Sequence, residues 1–130
     1  MPAKQEFLLA WKENPEDALT NLYLGDIAVR DREYGDARKY LRVAEQGQVE
    51  AFRVHLLLGK CYRGEHDPEK AKAEFLNAEA ADANVAEVHY LLAQVYQELK
   101  DTEGSAREFA EFERLSQTDK EKARETSAPN

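Results

Sequence analysis

The chain has 130 residues, enough for one domain to bury a core without disulfide or metal staples. Its formal net charge of -8, from 26 acidic against 18 basic side chains, repels phosphate backbones and argues against nucleic acid as a partner. A single cysteine, Cys61, allows no intrachain disulfide, and the longest apolar runs, such as Phe7 to Trp11, fall far short of the roughly 20 residues that span a bilayer.

The N-terminus lacks a basic stretch followed by an apolar run and a small-residue cleavage site, so it does not read as a signal peptide. It carries Ala3, Phe7 and Ala10 at helical spacing, and this first helix closes before Pro15. Asn14 is placed to cap a following helix that starts at Pro15, where a missing N–H costs nothing. The next stretch runs through Leu24-Gly25 to a turn at Gly35-Asp36, then through Ala37, Leu41 and Ala44 to Gly47-Gln48. A second stretch has Leu58-Gly59 and Tyr62, a turn from Gly64 to Pro68, then Ala71, Phe75 and Ala78, ending at Asp82 to Asn84. Asn84 with Glu87 makes a capping-box pattern for a third stretch, which has Leu92-Ala93 and Tyr96, a turn from Lys100 to Gly104, then Ser105, Phe109 and Phe112. Gln117 to Asn130 holds no aromatic or branched aliphatic residue, which predicts a frayed, mostly disordered tail.

Gly25 and Gly59 lie 34 residues apart, and Ala93 takes the same slot one period later. Leu24, Leu58 and Leu92 repeat at the same interval, as do Leu41, Phe75 and Phe109. Apolar residues fall three, four and seven apart within each unit and never alternate strictly, so every unit is a helical hairpin. A fixed period of this size is the mark of a stacked repeat array.

These residues resemble the tetratricopeptide repeat over 18–51, 52–85 and 86–116, with 1–17 on the slots of a preceding repeat's second helix and 117–130 as a polar tail. The second copy fits best: Leu58-Gly59, Tyr62, Ala71, Phe75 and Ala78 stand where the family has its Leu-Gly pair, tyrosine, alanine, phenylalanine and alanine. The first copy departs with Ala28 at the tyrosine slot, and the third with Ala93 for the glycine and Phe112 for the last alanine. The resemblance implies an all-α solenoid, a right-handed superhelix of antiparallel helix pairs with about seven helices. It also implies a non-catalytic protein-interaction scaffold that holds a partner's peptide or helix against the inner face of the first helices.

On that register the inward slots hold Leu19, Leu22, Asp26, Val29 and Arg30, then Arg53, Leu56, Lys60 and Arg63, then Glu87, Tyr90, Gln94, Gln97 and Glu98. Leu22, Leu56 and Tyr90 share one slot and are expected to form a continuous apolar stripe, with Arg53, Lys60 and Arg63 as a central positive patch. The family's chaperone-tail clamp needs basic and amide side chains where this chain has Leu22, Asp26, Leu57, Glu87 and Leu91, so no such clamp is expected. Phe7, Leu8 and Trp11 are expected to leave an apolar face bare for self-association. A third reading is a regulatory appendage of a larger enzyme.

No catalytic constellation accompanies His55, His66 or His89, so no enzymatic activity and no cofactor are expected. His55 and His89 occupy equivalent slots, but neighbouring repeats sit about 8–10 Å apart, too far for one shared zinc, and no metal site is expected. Cys61 shares its slot with Ile27 and Val95 and reads as a core residue.

Overall fold

The computed structural model describes residues 2–127, and every regular element among them is an α-helix. α1 (Pro2–Glu13) precedes three hairpins: α2 (Ala18–Arg30) with α3 (Tyr34–Gln46), α4 (Ala51–Gly64) with α5 (Pro68–Ala81), and α6 (Ala86–Glu98) with α7 (Thr102–Ser127). Each helix packs on its neighbours in sequence, and α2 also meets α4, so the hairpins stack as a solenoid.

Capping differs from the sequence expectation. Asp17, not Asn14, caps α2: its carboxylate accepts from the Thr20 N–H at 2.9 Å, while Asn14 and Pro15 stay in the preceding turn. The capping box at Asn84 and Glu87 does not form either. Val85 is the N-cap residue of α6 without a side-chain bond, and Glu87 reaches across to Lys60 at 2.9 Å. A salt-bridging lysine on the adjacent helix competes with the local cap for the same carboxylate.

The turns inside the hairpins repeat as faithfully as the helices. Arg32, His66 and Lys100, 34 residues apart, all take the left-handed conformation, with φ of 60°, 62° and 62°. The residue after each sends its N–H back to close the helix end: Glu33 to Ala28 at 2.8 Å, Asp67 to Tyr62 at 2.9 Å and Asp101 to Tyr96 at 2.8 Å. This is the bond pattern of a helix C-cap that ordinarily uses glycine, built here from three charged or polar residues. Because glycine is missing, the sequence shows turns nearby but not the residue that makes them.

Two apolar clusters form the core. Leu22, Leu41, Ala44, Val54, Leu57, Leu58 and Cys61 join the first hairpin to α4. Leu56, Ala71, Phe75, Ala78, Val88, Leu92 and Val95 join the second hairpin to α6. Gly59 is required by close approach: a Cβ there would lie 2.4 Å from the Phe75 ring, which is fully buried. Cys61 is in the core, and burial, then the charge of Glu65, pushes its thiol up to about 12, which leaves it unreactive.

The C-terminal expectation is corrected over the described residues. α7 stays helical to Ser127 with its last turns exposed, whereas Ala128 to Asn130 lie outside the described residues. Apolar packing is not needed here, because a helix already nucleated by Leu115 and the preceding turns extends at little cost through good helix formers. Local pairs add to this, including Arg114 to Glu111 at 2.8 Å and Gln117 to Glu121 at 3.4 Å.

Candidate functional site

The expected apolar stripe does not exist as a surface. Leu22 and Leu56 are 0% and 6% exposed and belong to the two core clusters, because the helices on either side close over them. Tyr90 is 39% exposed but lies against Phe109 and Phe112, with ring centroids 6.0 Å and 5.2 Å away. Leu19 and Gln97 are exposed, and Val29 packs on the core.

The positive patch is likewise spoken for. Arg53 reaches Asp26 at 2.5 Å, Lys60 reaches Glu87 at 2.9 Å, and Arg63 meets Glu98 at 3.0 Å and Gln94 at 2.7 Å. Each pair ties the first helix of one hairpin to the first helix of the next, so the inner face is a ladder of opposite charges. The Lys60–Glu87 and Arg63–Glu98 pairs are partly exposed and contribute about 0.2–1 kcal/mol each, whereas Asp26 in the Arg53 pair is buried.

Two concavities lie along this ladder, one of about 490 Å³ beside Tyr34, Lys60, Arg63, Glu87 and Leu91, and one nearer the N-terminus with a larger apolar wall. A cavity of about 550 Å³ opens between α1, α2 and the start of α4, lined by Lys4, Phe7, Tyr23, Asp26, Ile27, Arg30 and Arg53 among others. Its apolar side is the stack of Phe7 on Tyr23, at 4.9 Å and 22° between ring planes. Opposite sits Asp26, held by Arg30 at 2.8 Å and by Arg53, whose guanidinium also lies 5.8 Å from the Tyr23 ring centre. Burial alone raises the Asp26 carboxyl, but the hydrogen bonds from Arg30 and Arg53 outweigh it and hold the group below its ordinary range. Asp26, Arg30 and Arg53 are thus the predicted site residues that this pocket brings together, while Lys60 meets Glu87 and Arg63 meets Gln94 farther along the ladder. Phe7, one of the residues expected to serve self-association, completes the pocket from α1 together with Lys4.

The bare face expected on α1 is corrected by the same contacts. Phe7 and Trp11 are half-buried, Phe7 on Tyr23 and Trp11 edge-on to Tyr40 at 6.3 Å, and Leu8 is half-buried as well. These side chains close the first hairpin instead of projecting from it.

A second feature lies away from the pocket and repeats with the 34-residue period. His55 sits with Glu45 and Glu74, and His89 with Glu79 and Glu108, each set offering three ligand atoms within 4.8 Å of one another. The His55 Nδ1 is 2.8 Å from Glu74 and the His89 Nδ1 is 2.6 Å from Glu108. The corresponding slots one period before the first set hold Trp11 on α1, Asn21 on α2 and Tyr40 on α3. There Asn21 donates to Pro15 O at 2.9 Å, as the His89 Nε2 faces Ala83 O at 2.7 Å. The structure therefore groups each histidine with its own glutamates and not with the other histidine. The shared 34-residue offset of histidine and both glutamates is the sequence signal that would have found these sets.

Solved structures of MamA share this chain's fold. The MamA RS-1 ArsTM double mutant superposes with a TM-score of 0.84 at 20% identity over 91% of this chain and 66% of that one. The fold is that of a tetratricopeptide-repeat solenoid. Residues 41 to the end of MamA from Desulfovibrio magneticus RS-1 match at 0.82, 20% identity, 90% and 66% coverage. A further MamA crystal structure matches at 0.78, 17% identity, 87% and 66%. The chain therefore spans about two thirds of the length of these repeat proteins. No family model matches the sequence, and no curated protein matches it. No helix of this solenoid, among the described residues, is long and apolar enough to cross a membrane.

Proposed function

We propose that this chain is a non-catalytic protein-interaction scaffold, and that the pocket between α1, α2 and α4 takes a partner segment presenting an apolar side chain beside a carboxylate. The observation that carries this is the pocket's composition, in which the Phe7–Tyr23 stack adjoins Arg53 and Arg30. An aliphatic or aromatic anchor gains from the ring surface. A partner carboxylate replaces Asp26 on a guanidinium already aimed into the cavity, so little ordering is needed on binding. The tetratricopeptide fold supports a scaffold role, and the Cys61 thiol, buried and unreactive, offers no nucleophile.

Panning a random peptide library on the full chain tests this reading. Enriched peptides are expected to pair an acidic residue with an apolar one. Arg53→Gln is expected to weaken them roughly 10-fold or more, the scale of one charge-assisted hydrogen bond. Enriched peptides that bind Arg53→Gln and Phe7→Ala as tightly as the wild type, or the absence of enrichment, would overturn the proposal.

A further inference from the structure

The two histidine–glutamate sets share one register but not the same charged neighbours. In the first, Arg42 stretches over both carboxylates, 2.9 Å from Glu74 and 3.2 Å from Glu45, and also donates to the Tyr62 hydroxyl at 2.9 Å. One period later the tyrosine persists as Tyr96 and the glutamates as Glu79 and Glu108, but the arginine slot holds Leu76. Among the described residues, no lysine or arginine pairs with Glu79 or Glu108, and His89 alone faces them, at 3.3 Å and 2.6 Å. The second set lacks one positive charge that the first set has.

His89 is also oriented as a metal ligand. Its side chain is 4% exposed, and its Nε2 donates to Ala83 O at 2.7 Å, which turns Nδ1 toward the carboxylates. A ring N–H held by a backbone carbonyl is the usual outer support of a ligating imidazole. In this tautomer a neutral ring presents its Nδ1 lone pair at the point where the Glu79 and Glu108 carboxylates converge. From these contacts we infer that Glu79, His89 and Glu108 bind a divalent transition-metal ion of the zinc type, which Arg42 excludes from the equivalent set one repeat earlier.

The ligand set fits that chemistry. Imidazole and carboxylates bind zinc at about 2.0–2.2 Å in a tetrahedral arrangement, which places ligand atoms about 3.3 Å apart. The Nδ1 to Glu79 distance is already 3.3 Å, and Glu108, now at 2.6 Å, needs to withdraw by only about 0.7 Å. Glu79 is 29% exposed and gives the ion an entry from solvent and a fourth position for water. This inference is independent of the peptide pocket, which lies on other helices.

Zinc titrated calorimetrically into the chelator-stripped full chain, with metal content measured after gel filtration, tests it. The expected result is one zinc per chain. Glu79→Gln should weaken binding at least 10-fold, and its partly exposed position makes it the variant safest for folding. Leu76→Arg should do the same while keeping all three ligands, by restoring the guanidinium of the first set, and Glu45→Gln should leave binding unchanged. No saturable zinc binding by the wild type would overturn the inference. So would zinc retained equally by folded Glu79→Gln and Leu76→Arg.

Discussion

The hairpins α4–α5 and α6–α7 share one register and solve it differently. In the first, Gly59 leaves room for Phe75 to lie against the backbone, and the ring is fully buried. In the second, Ala93 fills the glycine slot, and Phe109 is only half-buried, meeting Tyr90 at the surface with Phe112 beside it. A single methyl group thus accompanies a shift of aromatic mass from the core toward the surface. The same pair of regions differs at the arginine slot, where Arg42 on α3 serves the His55 set and Leu76 on α5 leaves the His89 set without a guanidinium. The repeat fixes where side chains stand, while the residues placed there decide whether a slot is packing, charge balance or chemistry.

Several substitutions put this difference under strain, and the largest is truncation of the two rings. Phe75→Ala should destabilise the chain by about 3–5 kcal/mol, as expected for a fully buried phenylalanine, and Phe109→Ala by clearly less; chemical denaturation checks both. Equal losses would mean that the two hairpins pack alike. Gly59→Ala should cost about 1–3 kcal/mol, because the added Cβ meets the Phe75 ring, and combining it with Phe75→Leu should recover part of that loss.

Smaller effects probe what the hairpins have in common. His66→Gly and Lys100→Gly should each raise stability, by about 1 kcal/mol at most, since both positions hold left-handed backbone that costs a side chain about 1–2 kcal/mol and the flexible unfolded chain returns part of the gain. The pocket's charge cluster gives the smallest change. Asp26 has its carboxyl lowered from 3.8, so its contribution is fully present above that value and is lost as pH falls through the lowered one. The melting-temperature gap between wild type and Asp26→Asn should therefore narrow as pH is taken from 5 toward 2.

Much of this was legible in the sequence. The slots of Leu24, Leu58 and Leu92, of Ala37 and Ala71, and of Cys61 are buried where the 34-residue register put them. What the register could not show is which inward slots stay open. Leu22 and Leu56 sit on the inner face by period, yet adjacent helices cover them, and that depends on contacts between units. The ion pairs that neutralise Arg53, Lys60 and Arg63 join residues 27 to 35 positions apart, beyond any local pattern. Helix caps at Asp17 and Asp67 and the left-handed turns at Arg32, His66 and Lys100 are decided by local competition between donors, which composition does not resolve. The α1–α2–α4 pocket needed the docking of Phe7 on Tyr23, a contact between elements that the period alone leaves unspecified.

The central claim is that recognition happens at this N-terminal pocket and not at the aromatic surface of Tyr90, Phe109 and Phe112 near the other end. Nuclear magnetic resonance titration of the labelled chain with a panned acidic-apolar peptide tests it directly. Shift changes concentrated on Lys4, Phe7, Tyr23, Ile27 and Arg53 are the predicted result; changes centred on Tyr90 and Phe112, with the pocket signals unmoved, would contradict it.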